Sequence, residues 1–254
     1  MQLEGKSIQH MKFGKGIVKE SGGKYITVQF EEGEKQFLYP DAFFKFLVFN
    51  DKKMQEKIDI ILDGMISKEE KDREAEIREQ ERVHKIQTLK VELNSQAAFG
   101  MIQNAKENVF DAWTIFSGNY LSGKSKGKPK PPIKLKLNSA CLLTECLAGE
   151  AESKRRIIGA FMVNDDFVGS NCQDGIIKSH ENFRIKLKTN EMLSFWDYFS
   201  NDEGPQKWGG AEMKYFTNIK MQHILNDIQT KITDLKRQQL VSEFYQYFCY
   251  VNRL

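Results

Sequence analysis

Three stretches of this chain place chemistry-bearing residues at recognisable spacings. The first is Gly118-Asn-Tyr-Leu-Ser-Gly123-Lys124-Ser125, which matches the phosphate-binding string GxxxxGK[ST]. In a working phosphate loop a strand enters and a helix leaves. Backbone N–H groups then cradle the phosphates, the Lys reaches the β/γ-phosphates and the Ser hydroxyl holds Mg²⁺. A nucleotide-binding enzyme or sensor would be built this way. The run Ile157–Val163, followed by Asp165-Asp166, would imitate its acidic metal-binding strand. Trp113 to Phe116 suits the entering strand. The exit does not suit a helix, because Pro129, Pro131 and Pro132 lack the N–H groups that a helix interior needs.

The same stretch has a second chemistry. Between Asp111 and Glu145 there is no acidic residue, whereas Lys124, Lys126, Lys128, Lys130, Lys134 and Lys136 bring six positive charges. Gly, Ser and Pro among them predict a mobile, extended loop. Such lysines suit a nucleic-acid backbone, where neutralising phosphates releases counterions, and Tyr120 and Trp113 are placed to stack on bases. Arg155 and Arg156 extend the basic set. A solubilising loop has the same composition.

The third stretch, Cys172-Gln-Asp174-Gly-Ile-Ile-Lys178-Ser-His180-Glu181-Asn-Phe183-Arg184, gathers three acid–base groups: Asp174, His180 and Glu181. No Gly-x-Ser-x-Gly elbow or His-Glu-x-x-His pair accompanies them. Capped turns and surface ion pairs account for them more simply. Glu150, Glu152, Arg155 and Arg156 are placed to pair with one another or with a ligand. Cys141, Cys146, Cys172 and Cys249 lack zinc-site spacing and read as reduced, partly buried thiols. No catalytic residue, metal ligand or cofactor is assigned.

The elements that must position these groups follow from length and pattern. The 254 residues suffice for one large or two smaller domains. The net charge of +3 by itself specifies no partner. No run of 18 apolar residues marks a membrane helix, and the first ten residues carry no apolar signal core, so a cytoplasmic location is expected. Gly5 to Phe44 packs short β-patterns between glycine turns. Ile26, Val28 and Phe30 alternate with Thr27 and Gln29, and Gly22-Gly23 and Glu32-Gly33 punctuate the runs. Strands this short are expected to curl into a small SH3-like barrel over residues 1–49.

At these residues a resemblance appears. His10-x-x-Phe13-Gly14-x-Gly16-x-Val18, followed by Ile26-x-Val28-x-Phe30-x-x-x-Gly33-x-Lys35-x-Phe37, resembles the Tudor-like domain at the C-terminus of UvrD-type DNA helicases, and similar small bacterial barrels. It covers about 40 of the 254 residues, without any helicase motor. The resemblance implies a docking module for transcription or repair machinery, with Phe13, Lys15, Tyr25, Lys35 and Phe37 as the docking set. His10 has no acid–base partner in the motif and reads as a turn or packing residue.

Residues 50–97 read as a charged helical linker. Ile58, Ile61, Leu62, Met65 and Ile66 share one face. Ser67 with Glu70 forms a capping box at which a helix restarts, and Glu69–Arg73 and Glu74–Arg78 stand at i,i+4. Apolar positions return at Val83, Ile86, Leu89 and Leu93. A homodimer through this helix, or through the C-terminal one, fits the pattern, as does an oligomeric scaffold. Residues 103–254 predict an α+β domain with a mostly antiparallel sheet. Strands are expected at Ile133–Leu137, Ala140–Thr144, Ile157–Val163 and Phe183–Leu187, and helices at Glu191–Phe199, at 217–229 capped by Thr217 or Asn218, and at Leu235–Val251. The runs Arg156–Phe161 and Lys207–Gly210 are faintly similar to PUA-like RNA-binding barrels. The expected function is that of a noncatalytic nucleic-acid-associated adaptor, with no membrane partner.

Overall fold

A computed structural model describes residues 2–101, 109–199 and 206–254. The chain is α+β and divides into two units, Met1–Glu81 and Arg82–Leu254. No helix among the described residues is long and apolar enough to cross a membrane.

The first unit holds strands β1 (Ser7–His10), β2 (Gly14–Gly22), β3 (Tyr25–Phe30), β4 (Gly33–Leu38) and β5 (Leu47–Phe49). They form an antiparallel sheet in the order β4-β3-β2-β1-β5. The alternation seen along β3 recurs physically: Ile26, Val28 and Phe30 are buried with Ile8, Val18, Leu47 and Phe49. Each such side chain contributes about 1.5–3 kcal/mol by leaving water. Gly16 lets β2 approach, because a Cβ there would lie 2.6 Å from Val28 Cγ1 and 2.7 Å from Phe30 Cε1. Helix α1 (Lys52–Thr88) closes this core with Met54, Ile58 and Leu62.

Helix α1 is continuous through Ser67, so the expected restart does not occur. Helical i,i+4 pairing needs no new cap within one uninterrupted hydrogen-bond ladder. Ile61 and Ile66, read as part of its apolar face, are 39% and 42% exposed, since Met54, Ile58 and Leu62 already fill the contact. The turn after α1 leads into β6 (Gln96–Met101), so positions 96 and 97 are strand rather than linker. The expected domain start at 103 lies outside the described residues.

The second unit continues with α2 (Val109–Ala112), β7 (Thr114–Phe116), β8 (Ala140–Glu145), β9 (Arg156–Val163), β10 (Ile176–Lys186), β11 (Leu193–Ser194), α3 (Trp196–Phe199), β12 (Met213–Phe216), α4 (Asn218–Lys231) and α5 (Leu235–Asn252). The sheet order is β12-β6-β8-β9-β10-β7, with β11 beside β9. Only β6 and β8 run parallel among the described pairs; the rest are antiparallel. Both faces are buried, which explains the unbroken apolar runs of β8 and β9. Ala140, Leu142, Ala160 and Met162 face α4 and α5. Cys141, Leu143, Phe161 and Val163 face Phe99, Ile115, Leu135 and Ile177. Thr217 caps α4 by accepting a hydrogen bond from the Lys220 N–H, and Asp234 caps α5 through Arg237 N–H. On α5, Phe244 and Phe248 are fully buried, whereas Tyr250 is 58% exposed.

Two expected elements differ. Ile133–Leu137 is mostly turn rather than strand, with one isolated bridge from Lys136 to Val168: the Ile133 and Leu135 N–H groups donate back to Pro131 O and Pro132 O, and Leu135 is buried as an anchor. Glu191–Phe199 is not one helix but a 3₁₀ turn, then β11, then α3. The Glu191 carboxylate is drawn away by Arg237 and the Lys188 N–H. The buried face of α4 is Met221, Ile224, Leu225 and Ile228, whereas Ile219 in its first turn is 49% exposed.

Candidate nucleic-acid interface

The lysine-rich segment leaves β7 and folds into a hydrogen-bonded hairpin rather than an extended loop. Ser117 N–H donates to Gly175 O (2.8 Å) and Lys130 N–H to Gly118 O (2.8 Å). Asn119 and Pro129 form an antiparallel bridge. Tyr120 N–H donates to Lys128 O (3.0 Å) and Gly127 N–H to Tyr120 O (2.9 Å). The Ser117 hydroxyl closes the base on Lys130 O at 2.6 Å. Gly118, Gly123 and Gly127 take φ of 94°, 78° and 81°, values glycine adopts without steric cost. The prolines thus force the chain back as a hairpin, and no helix begins at Lys124. The helix N-terminus that a phosphate loop requires is missing from Gly118–Ser125.

This geometry sorts the basic residues. Lys124, Lys126, Lys128 and Lys130 are exposed, and none forms an ion pair among the described residues. Lys134 lies 5.2 Å from the centre of the Tyr215 ring, and Lys136 is bound to Glu92 at 2.7 Å. Tyr120 is 38% exposed on the same hairpin. Trp113, at the foot of β7, is covered by the Arg184 guanidinium at 5.0 Å and is not a free stacking face.

Arg155 and Arg156 do not join the set. Arg155 is 6% exposed, pairs with Glu152, donates to Thr144 Oγ1 (3.1 Å) and lies 4.7 Å from the Trp208 ring centre. Arg156 is held by Glu150 (2.9 Å) and Glu145 (3.4 Å). Glu150, Glu152, Arg155 and Arg156 therefore satisfy one another. Changing Arg155 to Met is expected to lower the melting temperature of the second unit, because Glu152 and Thr144 lose their partner, while leaving nucleic-acid affinity unchanged in an anisotropy titration.

Of the three acid–base candidates, His180 and the exposed Glu181 line one cavity with Asp165 and Asp166, whereas Asp174 is not part of its wall. Asp174 accepts the Ile176 N–H (3.0 Å) and contacts the Cys172 thiol, which burial, reinforced by Asp174, pushes up to about 11. His180 turns instead to Asp165, with Nε2 3.5 Å from Oδ2, and Tyr247 OH donates to Asp165 Oδ1 at 3.0 Å. Burial works to raise the Asp165 pKa, but the hydrogen bonds from His180 and Tyr247 outweigh it and the carboxyl sits below its ordinary range. His180 Nδ1 accepts the backbone N–H groups of Asn182 (3.0 Å) and Phe183 (3.3 Å). Nδ1 is thus spent on the chain and Nε2 on Asp165, so the His180 imidazole has no free lone pair with which to act as a base. Asp166 pairs with Lys85.

His10 repeats that arrangement. Its Nδ1 accepts the N–H groups of Lys12 (2.9 Å) and Phe13 (3.2 Å), and its ring lies 4.6 Å from Phe13, as His180 lies 4.5 Å from Phe183. The strings His10-Met-Lys-Phe13 and His180-Glu-Asn-Phe183 carry this shared signal in plain sight. Around His10 the structure gathers Phe13, Phe37 and Phe46, with Lys35 Nζ 5.5 Å from the Phe13 ring centre. Phe46, 51% exposed, is absent from the expected docking set. Lys15 is exposed on β2, and Tyr25 stands at the end of β3 opposite Phe30, paired with Leu38.

Burial, then the Lys12 charge, hold the His10 pKa below the ordinary 6.5. The unfolded chain takes up this proton first, so stability is complete above about pH 6.5 and falls with pH from there until folded His10 also protonates. The lowered carboxylates, Asp165 among them, act in a separate window below about pH 4. The His10 ring-proton resonance is expected to titrate with a midpoint below 6.5, alongside a falling melting temperature of the first unit. A midpoint at or above that value contradicts the burial argument.

Comparison of the chain with protein-family models, with characterised proteins and with solved structures returns no significant match. The functional reading therefore rests on the residues themselves.

Proposed function

We propose that this protein is a noncatalytic, nucleic-acid-associated binding protein. Its lysine hairpin contacts phosphates, and its N-terminal sheet acts as a Tudor-like barrel that docks a partner through the aromatic cluster around His10. The single observation that carries the reading is the hairpin itself. Lys124, Lys126, Lys128 and Lys130 project from a hydrogen-bonded scaffold and have no ion pairs among the described residues. The backbone that carries these lysines is already ordered, so only side-chain freedom is lost on meeting phosphates, and displaced counterions supply the affinity. The resemblance of residues 5–44 to UvrD-type Tudor-like domains supports the docking half, and Phe13, Phe37 and Lys35, brought together on that sheet, fit it.

A salt titration tests the proposal. Four phosphate contacts on a single strand give a slope of log K against log salt of about −3. A slope near zero, or no binding at low salt, would overturn the reading.

A further inference from the structure

We propose that the cleft at the base of the lysine hairpin is a subsite for an unpaired guanine base, an inference that rests on the phosphate-binding reading above. The cleft encloses about 230 Å³, and its wall includes Asn119, Tyr120, Leu121, Lys130 and Glu212. Tyr120 supplies a ring against which a base stacks, and Lys130 supplies a charge for the adjoining phosphate.

Glu212 decides which base. Its side chain lies against Gly118, where any Cβ would collide with the carboxylate, and it forms no ion pair among the described residues despite the nearby lysines. A carboxylate only accepts hydrogen bonds, and it repels phosphate. The cleft therefore calls for a ligand edge made of donors. Guanine alone among the bases sets two donors side by side, N1–H and the N2 amino group, to meet the two carboxylate oxygens. Adenine and cytosine place a ring-nitrogen acceptor beside the amino group, and thymine and uracil flank N3–H with carbonyls. That edge is consumed in a duplex, so the strand bound here is single.

The test uses the full chain and fluorescent pentanucleotides, dT-dT-N-dT-dT, with guanine, adenine, cytosine, thymine or hypoxanthine as the central base. The guanine oligonucleotide is expected to bind about tenfold more tightly than the other standard bases, in line with one bidentate contact. Hypoxanthine, which lacks the N2 amino group, loses most of that preference on the unaltered protein. Glu212→Gln removes the guanine preference without lowering the thymine oligonucleotide's affinity. Equal binding of all five, with strong salt dependence retained, overturns the subsite and leaves the phosphate reading standing. Binding of none overturns both. Hypoxanthine binding as tightly as guanine overturns the carboxylate contact even if Glu212→Gln fails to fold.

Discussion

Changing Lys124, Lys126, Lys128 and Lys130 together to Gln weakens binding of single-stranded nucleic acid by roughly a hundredfold to a thousandfold at about 0.1 M salt, and flattens the salt slope by about 3. The magnitude comes from counterion release: each neutralised phosphate on a single strand contributes a slope of about 0.7, hence about fivefold per lysine at that salt. The fold should not suffer. Every hydrogen bond that closes the hairpin uses the backbone of Tyr120, Gly123, Ser125, Lys126, Gly127, Lys128 and Lys130, together with the Ser117 hydroxyl, and no lysine side chain. An unchanged melting temperature accompanies the loss. Lys136→Gln serves as the internal control, since that charge is already engaged by Glu92. Affinity unaltered in the fourfold variant would sink the proposed function, because Arg155 and Arg156, the other basic residues expected at the interface, are bound to their own glutamates.

The second large effect is on stability. Gln96→Leu keeps the volume of a fully buried side chain and removes its hydrogen bonds. Gln96 Oε1 accepts the Ala140 N–H at 2.5 Å, and Nε2 donates to Asn218 Oδ1 (3.0 Å) and faces Asn252 Oδ1 (3.3 Å). Asn252 in turn accepts from Asn138 Nδ2 (2.8 Å) and donates to Asn138 O (2.9 Å), while Asn218 Nδ2 reaches Glu92 O (2.9 Å). This buried network joins β6, the start of β8, the first turn of α4 and the last turn of α5. A stranded buried donor or acceptor costs about 1–3 kcal/mol, so losing the Ala140 partner and two amide contacts is expected to cost about 3–5 kcal/mol. Against the 5–15 kcal/mol of a typical domain, about a third of the stability goes. Urea unfolding followed by tryptophan fluorescence measures it, since Trp113, Trp196 and Trp208 all lie in the second unit. A loss under about 1 kcal/mol would mean that the network is not a linchpin of this unit.

Much of the framework was legible before any coordinates. The period of two along Ile26, Val28 and Phe30, the apolar runs of β8 and β9, the cap at Thr217 and the helical span of α5 all depend on neighbours a few residues away. Local pattern reports such elements well. The hairpin was half legible. Pro129, Pro131 and Pro132 already argued against a helix after Lys124, but the pairing of Tyr120 with Lys128 depended on glycines taking positive φ, which composition alone reads as looseness.

Most of the residues misplaced or missed have roles set by partners distant in sequence. Arg155 and Arg156 are the near-sequence exception: pairing with Glu150 and Glu152 and binding a ligand were both open to them, and the fold, adding Glu145, takes the first. His180 looks like a base until Asp165 and two backbone N–H groups take both its nitrogens. Gln96, Asn138, Asn218 and Asn252 carry no local signal, because four amides scattered along a chain become a network only when two helix ends meet two strands.

Local pattern reported most of the strands and helices, Ile133–Leu137 and Glu191–Phe199 excepted, and where the positive charge collects. Those properties follow from backbone sterics, apolar period and the absence of acids between 111 and 145. Tertiary structure alone decided which charges are left over for a ligand. Free charge is a difference between what a residue carries and what its neighbours in space neutralise, and only the folded chain specifies those neighbours.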